Sequence, residues 1–407
     1  MYSSLREPLV SIAIINRNYG RFVGEAIQSV KEQTYKNVEG LVLDNGSDDN
    51  SVDIIEKAIA RDPKFRFFRV AENLGHLGGG LWLLDHLNGE FVTFLDADDI
   101  LSPEYAAAHV QAHLASGFST AFTSSNYLDI DANGVIYTGG SGLMQHRWPV
   151  AQRCIRVNPR LPRVAAVDDR AFRALCRGTR FSPPGAGSWS WSQGSSNMFR
   201  RIMLERVRPS GLGPIVLGGV DAYFTPLLNA ITGTLLINLP LSLYRIHGGN
   251  DYSALPGLYG VRTGTESPAN LGASGFLLGL DFLIRDIDMA LRTVPEDRYW
   301  SVLDAVMSAG KYKKLIAHPG AKALLTKNLD RLIRVFGKRS VYCELRLRMK
   351  LRDFLDIINA NRNGLLRASD LGDWLAAEFR RAKQTSFTLA KRVWRGRAGG
   401  AWYSRPR

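Results

Sequence analysis

Three carboxylates arrive together in Phe94-Leu95-Asp96-Ala97-Asp98-Asp99, at the end of an apolar run. Held at one edge of a fold they repel one another, and a divalent cation bridging them to a diphosphate removes that penalty. Mg²⁺ and Mn²⁺ prefer one or two carboxylates completed by phosphate oxygens and water, so the spacing suits either ion. The same residues also suit the start of a helix, with Asp99 or Ser102 as its cap and Pro103 in its first turn. On this segment alone both readings stand.

The elements that must position these carboxylates are legible upstream. Four runs of branched and aromatic residues, Val10–Ile15, Glu39–Leu43, Phe65–Val70 and Phe91–Leu95, read as buried strands. Between them lie 24–33, 51–61 and 79–87, where residues such as Ile27 and Val30, or Ile54, Ile55, Ala58 and Ile59, fall at helical spacing. Strand and helix in alternation imply right-handed crossovers and a mostly parallel sheet covered on both faces, a Rossmann-like α/β domain. Ligands of such sheets bind beyond the carboxyl ends of the strands. The polar residues there are Asn16 and Asn18 after the first strand, Asp44 and Asn45 after the second, Asn73 near the third, and Asp96 to Asp99 after the fourth.

Beyond this, a helix over 103–116 and a strand around 120–124 are expected, then a turn at Asp131, Asn133 and Gly134 before Val135–Tyr137. From about Gly139 to Gly194 the pattern gives way to Gly, Pro, Arg and Trp, a long irregular stretch suited to an acceptor. Order returns with Asn197–Val207, a helix after Gly219, and apolar runs at Leu235–Leu239 and Leu241–Tyr244. From about Pro268 the pattern is helical.

Val10 to Asp99 resembles the family 2 glycosyltransferases, whose fold is called GT-A. The resembling pieces are Val10-Ser11-Ile12-Ala13-Ile14-Ile15, Asn18-Tyr19-Gly20-Arg21-Phe22, Ala26-Ile27-Gln28-Ser29-Val30 with Gln33-Thr34-Tyr35, Leu43-Asp44-Asn45-Gly46-Ser47-Asp48-Asp49, Asn73-Leu74-Gly75, and Gly89-Glu90-Phe91 leading to Asp96-Ala97-Asp98. They stand in family order at family spacing. The resemblance implies a nucleotide-sugar donor. It places Asp96 near the ribose and Asp98 on the metal that holds the donor diphosphate, with Ile15 and Asn73 lining the nucleotide pocket. Asn45 stands where the family has an aspartate facing the base. Its amide can both accept and donate a hydrogen bond, which leaves the base open.

Further on, Gly218-Gly219-Val220-Asp221 is similar to the family's catalytic-base region, although Val220 departs from the usual acidic residue. The resemblance makes Asp221 the base that takes the acceptor's proton in an inverting transfer, a role compatible with capping the helix it begins. Tyr244-Arg245-Ile246-His247-Gly248-Gly249-Asn250 resembles a later family segment. There His247 would complete the metal shell or touch the diphosphate, and Arg245 would neutralise the departing phosphate. Ser195-Ser196-Asn197-Met198-Phe199-Arg200-Arg201 resembles a segment before the base, on the acceptor side. A hydrolase triad of Ser195, His247 and Asp221 is set aside, because no Gly-Xaa-Ser-Xaa-Gly elbow surrounds any serine.

The resulting expectation is a GT-A catalytic domain over 1–255, its nucleotide-sugar half about 1–125 and its acceptor half about 126–255, followed by a helical basic region over 256–407. The donor is expected to be a UDP-sugar first, with dTDP and GDP open, and the acceptor a glycan or lipid-linked hydroxyl in cell-surface polysaccharide or glycolipid synthesis. A processive membrane synthase is disfavoured: no run is long and apolar enough to span a bilayer, and Gln145-His146-Arg147-Trp148 is one residue short of that class's motif. The glycine-rich basic loop of a nucleotidyltransferase is also missing. Cys154, Cys176 and Cys343 suggest neither a disulfide framework nor a zinc site.

The net charge is +14, and residues 338–407 hold 17 Lys and Arg against 6 Asp and Glu, so most of the excess is carboxy-terminal. Such a region can stay solvated, lie on anionic lipid or grip nucleic acid. Trp374, Phe379, Phe387, Trp394, Trp402 and Tyr403 interleave with its basic residues, as stacking platforms do and as an interfacial helix over 375–394 would. A non-catalytic nucleotide- or nucleic-acid-binding protein is therefore the competing reading. The expectation adopted is an enzyme in the cytoplasm, peripheral at the inner face of the membrane, with no nucleic-acid partner.

Overall fold

The computed structural model describes residues 6–138, 153–154, 164, 166–184, 191–211, 219–250, 271–308, 319–361 and 372. Strands β1 (Val10–Asn16), β2 (Val38–Asn45), β3 (Phe65–Val70) and β4 (Phe91–Asp96) alternate with helices α1 (Gly20–Lys31), α2 (Ser51–Ile59) and α3 (Gly75–Leu84). All four strands are parallel, in the order β3-β2-β1-β4. β1 and β2 are wholly or almost wholly buried, as strands covered on both faces must be. α1 presents Val23, Ala26, Ile27 and Val30 to the sheet, where they join Val10, Ile12, Ile14, Val42 and Leu95 in one core, while Phe22 packs on His247 and under the Arg245 guanidinium. Each of the branched side chains contributes roughly 1.5–3 kcal/mol on leaving water.

The short strand β5 (Ile100–Leu101), helix α4 (Tyr105–Ala115) and strand β6 (Phe122–Asp131) come next. α4 has no side-chain cap, so neither Asp99 nor Ser102 fills that role; Ser102 instead donates its N–H to Leu241 O at 2.8 Å. The sheet then turns mixed. β10 (Asn197–Arg200) runs antiparallel between β4 and β6, and β11 (Thr234–Ile246) lies parallel to β6. β11 joins the two apolar runs on either side of Pro240 into one strand, with register shifts at the proline, which can donate no ladder hydrogen bond. Outer strands β7 (Ile136–Thr138), β8 (Arg153–Cys154) and β9 (Thr179–Ser182), with helix α5 (Asp169–Gly178), complete this half.

Helix α6 (Arg201–Arg206) follows β10, and α7 (Val220–Thr232) leads into β11. α3 contains Gly78, Gly79 and Gly80, a run that costs about 1 kcal/mol per glycine in helix propensity. The cost is explained by contact: a Cβ on Gly79 would lie 3.1 Å from Ile15 Cγ2, and one on Gly80 only 2.5 Å from Val220 Cγ2. The glycines let α3 settle between β1 and the start of α7.

Backbone contacts divide the chain into two compact units, one of residues 1–282 with 288–313 and one of 283–287 with 314–407. In the first, Arg298 of the helix Glu296–Ser308 donates to Ile231 O at the end of α7 at 2.9 Å. In the second, helices Pro319–Phe336, Lys338–Arg348 and Leu351–Asn361 bury Leu325, Leu329, Leu332, Tyr342, Phe354 and Ile358, and Lys322 pairs with Asp353. Helices thus flank the mixed sheet and continue carboxy-terminally, as expected. Among the described residues no helix is long and apolar enough to cross a membrane.

Candidate active site

Strand register assembles the site. Ile15 pairs with Leu43 and with Asp96, and Asn16 pairs with Asp44, so the carboxyl ends of β1, β2 and β4 stop level with one another. Asn16 is fully buried; its Nδ2 reaches Asp44 Oδ1 and Ser47 Oγ, both at 3.2 Å. Its buried Oδ1 has no partner among the described residues, so an acceptor is left over at the floor of the strand ends. Asn18 sits with φ at 61°, in the left-handed region that asparagine tolerates. It donates its N–H to Ser47 Oγ and accepts from Asp48 N, tying the β1 and β2 ends together. Asn45 is buried and committed inward: Leu74 N–H donates to its Oδ1, while its Nδ2 reaches Asn73 Oδ1 and Gly75 O. The Asn73 side chain is drawn into the same turn, accepting from Gly75 N at 2.9 Å.

The carboxylates of β4 separate by environment. Asp98 is nearly buried, and its Oδ2 lies 3.0 Å from His247 Nε2 and 3.4 Å from Asn250 Nδ2. Burial pushes its pKa up; the His247 hydrogen bond opposes this and the neighbouring Asp96 charge adds to it. Asp99 is 1% exposed and held well above the usual carboxylate range by burial and by Asp98 and Asp96. It accepts Ser195 Oγ–H at 2.6 Å and Arg245 N–H at 3.0 Å, which is structural work on the loop.

Asp98 suits a hard divalent cation, since an ion there would relieve the repulsion that burial intensifies. His247 packs on the Tyr19 and Phe22 rings beside it. However, Gly249 N–H donates to His247 Nδ1, so the Nε2 proton points at Asp98, and that nitrogen joins a metal shell only after losing the proton. Among the described residues no three His, Cys, Asp or Glu side chains are gathered as a ready-made shell. Remaining ligands would come from phosphate oxygens and water.

Arg245 does not face this cleft. Its side chain is fully buried, with Nε on Asp98 O at 2.8 Å, Nη2 on Glu25 Oε2 at 2.6 Å, and the guanidinium over the Phe22 ring. Wherever a phosphate lies, this guanidinium already has partners, and it fixes the loop that carries Asp98.

Asp221 reaches the site from α7. A Cβ at Gly194 would lie 3.3 Å from Asp96 Oδ2 and 3.9 Å from Asp221 Cγ, so this glycine stands against both carboxylates. Burial pushes the Asp221 pKa up to about 6, Asp96 adds to the rise, and His76 opposes it. Gly194 begins the turn Gly194–Ser196, whose Ser195 Oγ also accepts Asp96 N–H at 3.1 Å. Sequence reasoning missed His76. It projects from α3, with Nε2 2.9 Å from Asp96 Oδ1 and Nδ1 accepting Val220 N–H at 3.1 Å. Burial disfavours its cation, but Asp96, Asp221 and Asp98 outweigh this and raise its pKa. At 31% exposure, water screens part of that pull. The one sequence signal was its position, one residue after Asn73-Leu74-Gly75.

Residues 11–134 match the family model described as glycosyl transferase family 2, the span that supplies every strand end named above. Residues 11–134 form a glycosyl transferase family 2 domain. Curated relatives of this family 2 domain include an uncharacterized glycosyltransferase of Nostoc sp., 29% identical over 60% of this chain and 66% of its own length. Another is the chondroitin synthase of Escherichia coli, 27% identical over 36% of this chain and 21% of the synthase. The chain thus spans less than two thirds of either. The solved structure of S. aureus TarS 1-349 in complex with UDP-GlcNAc covers 92% of each chain at 14% identity, with a TM-score of 0.48. Gly218 and the tail aromatics from Trp374 to Tyr403 lie outside the described residues, as do Gln145 to Trp148 and most of 139–190.

Proposed function

We propose that the chain is a metal-assisted, inverting glycosyltransferase that moves a sugar from a nucleotide-sugar donor to an acceptor hydroxyl. The observation that carries this reading is the pairing of Asp96, at the end of a nucleotide-type strand, with Asp221, a carboxyl raised to about 6, across Gly194. A general base serves best with a pKa near the working pH, and Asp221 stands in that range. The acceptor oxygen bonds to the anomeric carbon, its proton passes to an Asp221 carboxyl oxygen, and the carbon–oxygen bond to the diphosphate breaks with its electron pair staying on the phosphate.

Ile15 and Asn16 are assigned to the nucleotide, with Asn16 Oδ1 as the acceptor for a base or ribose donor, while Asn18, Asn45 and Asn73, whose amides are bound within the turns, are assigned to shaping the nucleotide pocket. Asp98, with His247 beside it, would hold a Mn²⁺ or Mg²⁺ ion, whose charge would offset that of the leaving diphosphate. UDP-sugars are the favoured donors. S. aureus TarS was solved with UDP-GlcNAc and a mannosyltransferase of Pyrobaculum calidifontis with GDP-Man and Mn2+; GDP- and dTDP-sugars stay within the screen. The acceptor assigned is a glycan or lipid-linked hydroxyl of cell-surface polysaccharide or glycolipid, met in the cytoplasm at the inner membrane face. The basic carboxy-terminal sequence provides the attraction to anionic lipid.

A panel of UDP-, dTDP- and GDP-sugars, assayed for hydrolysis and transfer with and without Mn²⁺ or Mg²⁺, tests the reading. Turnover that requires metal supports it. Failure of every donor under every metal condition would remove the catalytic assignment and leave nucleotide binding by itself.

A further inference from the structure

We infer that His76 is a positioning residue that holds the proposed base in place by clamping the start of α7 to Asp96. This rests on Asp221 being the base. The geometry comes from three elements that meet only here. Gly219, the residue before α7, has no side chain with which to cap the helix, and the first turn of any helix leaves N–H groups unpaired. His76 from α3 fills that role from outside, its Nδ1 accepting Val220 N–H at 3.1 Å. With Nδ1 so used, the ring's proton sits on Nε2, which lies 2.9 Å from Asp96 Oδ1 as a close electrostatic contact without hydrogen-bond alignment. One imidazole thus bridges the strand carrying the proposed ribose carboxylate and the residue directly before Asp221.

The packing leaves little slack. A Cβ at Gly219 would lie 2.4 Å from Asp221 Oδ1 and 3.4 Å from His76 Nδ1, so the Gly219–Asp221 turn rests against both groups. On the other side, Gly80 brings α3 against Val220. Asp221 itself spends Oδ1 on its neighbour's N–H, Ala222 N, at 2.9 Å, which orients the carboxyl within the turn but does not fix the turn against the sheet. His76 supplies that fixing contact. Proton acceptance in the transfer demands that the carboxyl oxygen lie within hydrogen-bond reach of the acceptor hydroxyl, and a shift of about 1 Å can cost about 100-fold in rate.

Two replacements separate the hydrogen bond to Val220 from the electrostatic contact with Asp96. Asparagine places its amide oxygen near the Nδ1 position and keeps the Val220 contact, whereas glutamine reaches toward Nε2 and keeps only the Asp96 contact. The test uses the full chain, the donor found by the panel above, and calorimetric binding of UDP with Mn²⁺ as the folding control. His76→Ala is expected to lower kcat about 100-fold with donor KM and UDP affinity within about threefold of wild type. His76→Asn should recover most of that loss and His76→Gln little of it. Hydrogen exchange at Val220 N–H, read without any turnover, should quicken in the alanine and glutamine variants and not in the asparagine variant. Unchanged exchange in His76→Ala, or equal recovery by both amides, overturns the clamp. If exchange behaves as expected but Asp221→Asn keeps wild-type turnover, the clamp stands as a structural feature and the base assignment falls.

Discussion

Asp221 answers to two opposing demands. A base is useful only when deprotonated, yet burial and Asp96 hold its pKa at about 6, against 3.8 for the free side chain. The native state therefore holds this proton more tightly than the unfolded chain. Stability from the group is fully present below the unfolded pKa and is lost as pH rises through about 6. At pH 7.5 the ionised carboxyl should cost the fold about 1–2 kcal/mol, after allowing for its partial contact with water. Asp221→Asn should accordingly raise Tm at pH 7.5, with the gain vanishing by about pH 4, while kcat falls about 10²–10⁴-fold. A lower Tm in this variant at pH 7.5 would show that the carboxylate is stabilised where it lies. The pH–rate profile adds a second check. The kcat/KM limb should lie near pH 6, and the kcat limb lower, because an ion on Asp98 offsets the Asp96 charge that helps raise Asp221.

At the scale of elements, the site depends on how closely α3, α7 and the 96–99 loop are pinned. Gly80→Ala would drive a Cβ into Val220, and overpacking of this kind should cost about 1–3 kcal/mol in urea unfolding. Arg245→Ala should cost a similar amount, about 1–3 kcal/mol, because Asp98 O loses a buried donor, whereas Asp99 keeps the backbone N–H of residue 245 and the half-exposed Glu25 is rehydrated. If Arg245→Ala instead leaves stability intact and weakens donor affinity alone, the arginine belongs to the phosphate site after all.

These elements also show what sequence can reveal. β1, β2 and β4 lie within two residues of their expected bounds at each end, because a strand buried on both faces is continuously apolar and its polar ends carry the ligand. Phe65–Val70 has the expected bounds but is a half-buried edge strand, where Arg66 and Arg69 are tolerated, and not the buried strand expected. Asp96, Asp98 and Asp221 were singled out through the family resemblance, and the fold brings Asp96 and Asp221 to the same glycine, Gly194. Arg245 was read by residue type as a phosphate ligand, and type alone cannot tell that β11 carries its guanidinium into the interior. His76 was silent because helical periodicity speaks only of the apolar face of α3, while its two partners are 20 and 144 residues away in sequence.

For the whole molecule, the sequence after residue 337 carries most of the net positive charge, and the residues assigned to the candidate site all lie before 251. Removing residues 362–407 should therefore leave donor hydrolysis within about twofold, while weakening salt-sensitive binding to phosphatidylserine vesicles by roughly 1 kcal/mol for each basic residue at the surface. Equal partitioning of the full and shortened proteins between membrane and soluble fractions would exclude the tail from membrane attachment. Capture of oligonucleotides instead of vesicles would assign the charge to nucleic acid.

The most direct measurement separates binding from turnover in two variants. UDP binding in the presence of Mn²⁺ is titrated by calorimetry into wild type, Asp98→Ala and Asp221→Asn, alongside turnover of the active donor. The predicted result is loss of metal-dependent binding in Asp98→Ala, and unchanged binding with turnover abolished in Asp221→Asn. Metal-dependent binding that survives Asp98→Ala, or turnover that survives Asp221→Asn, would contradict the assignment of metal ligand and base.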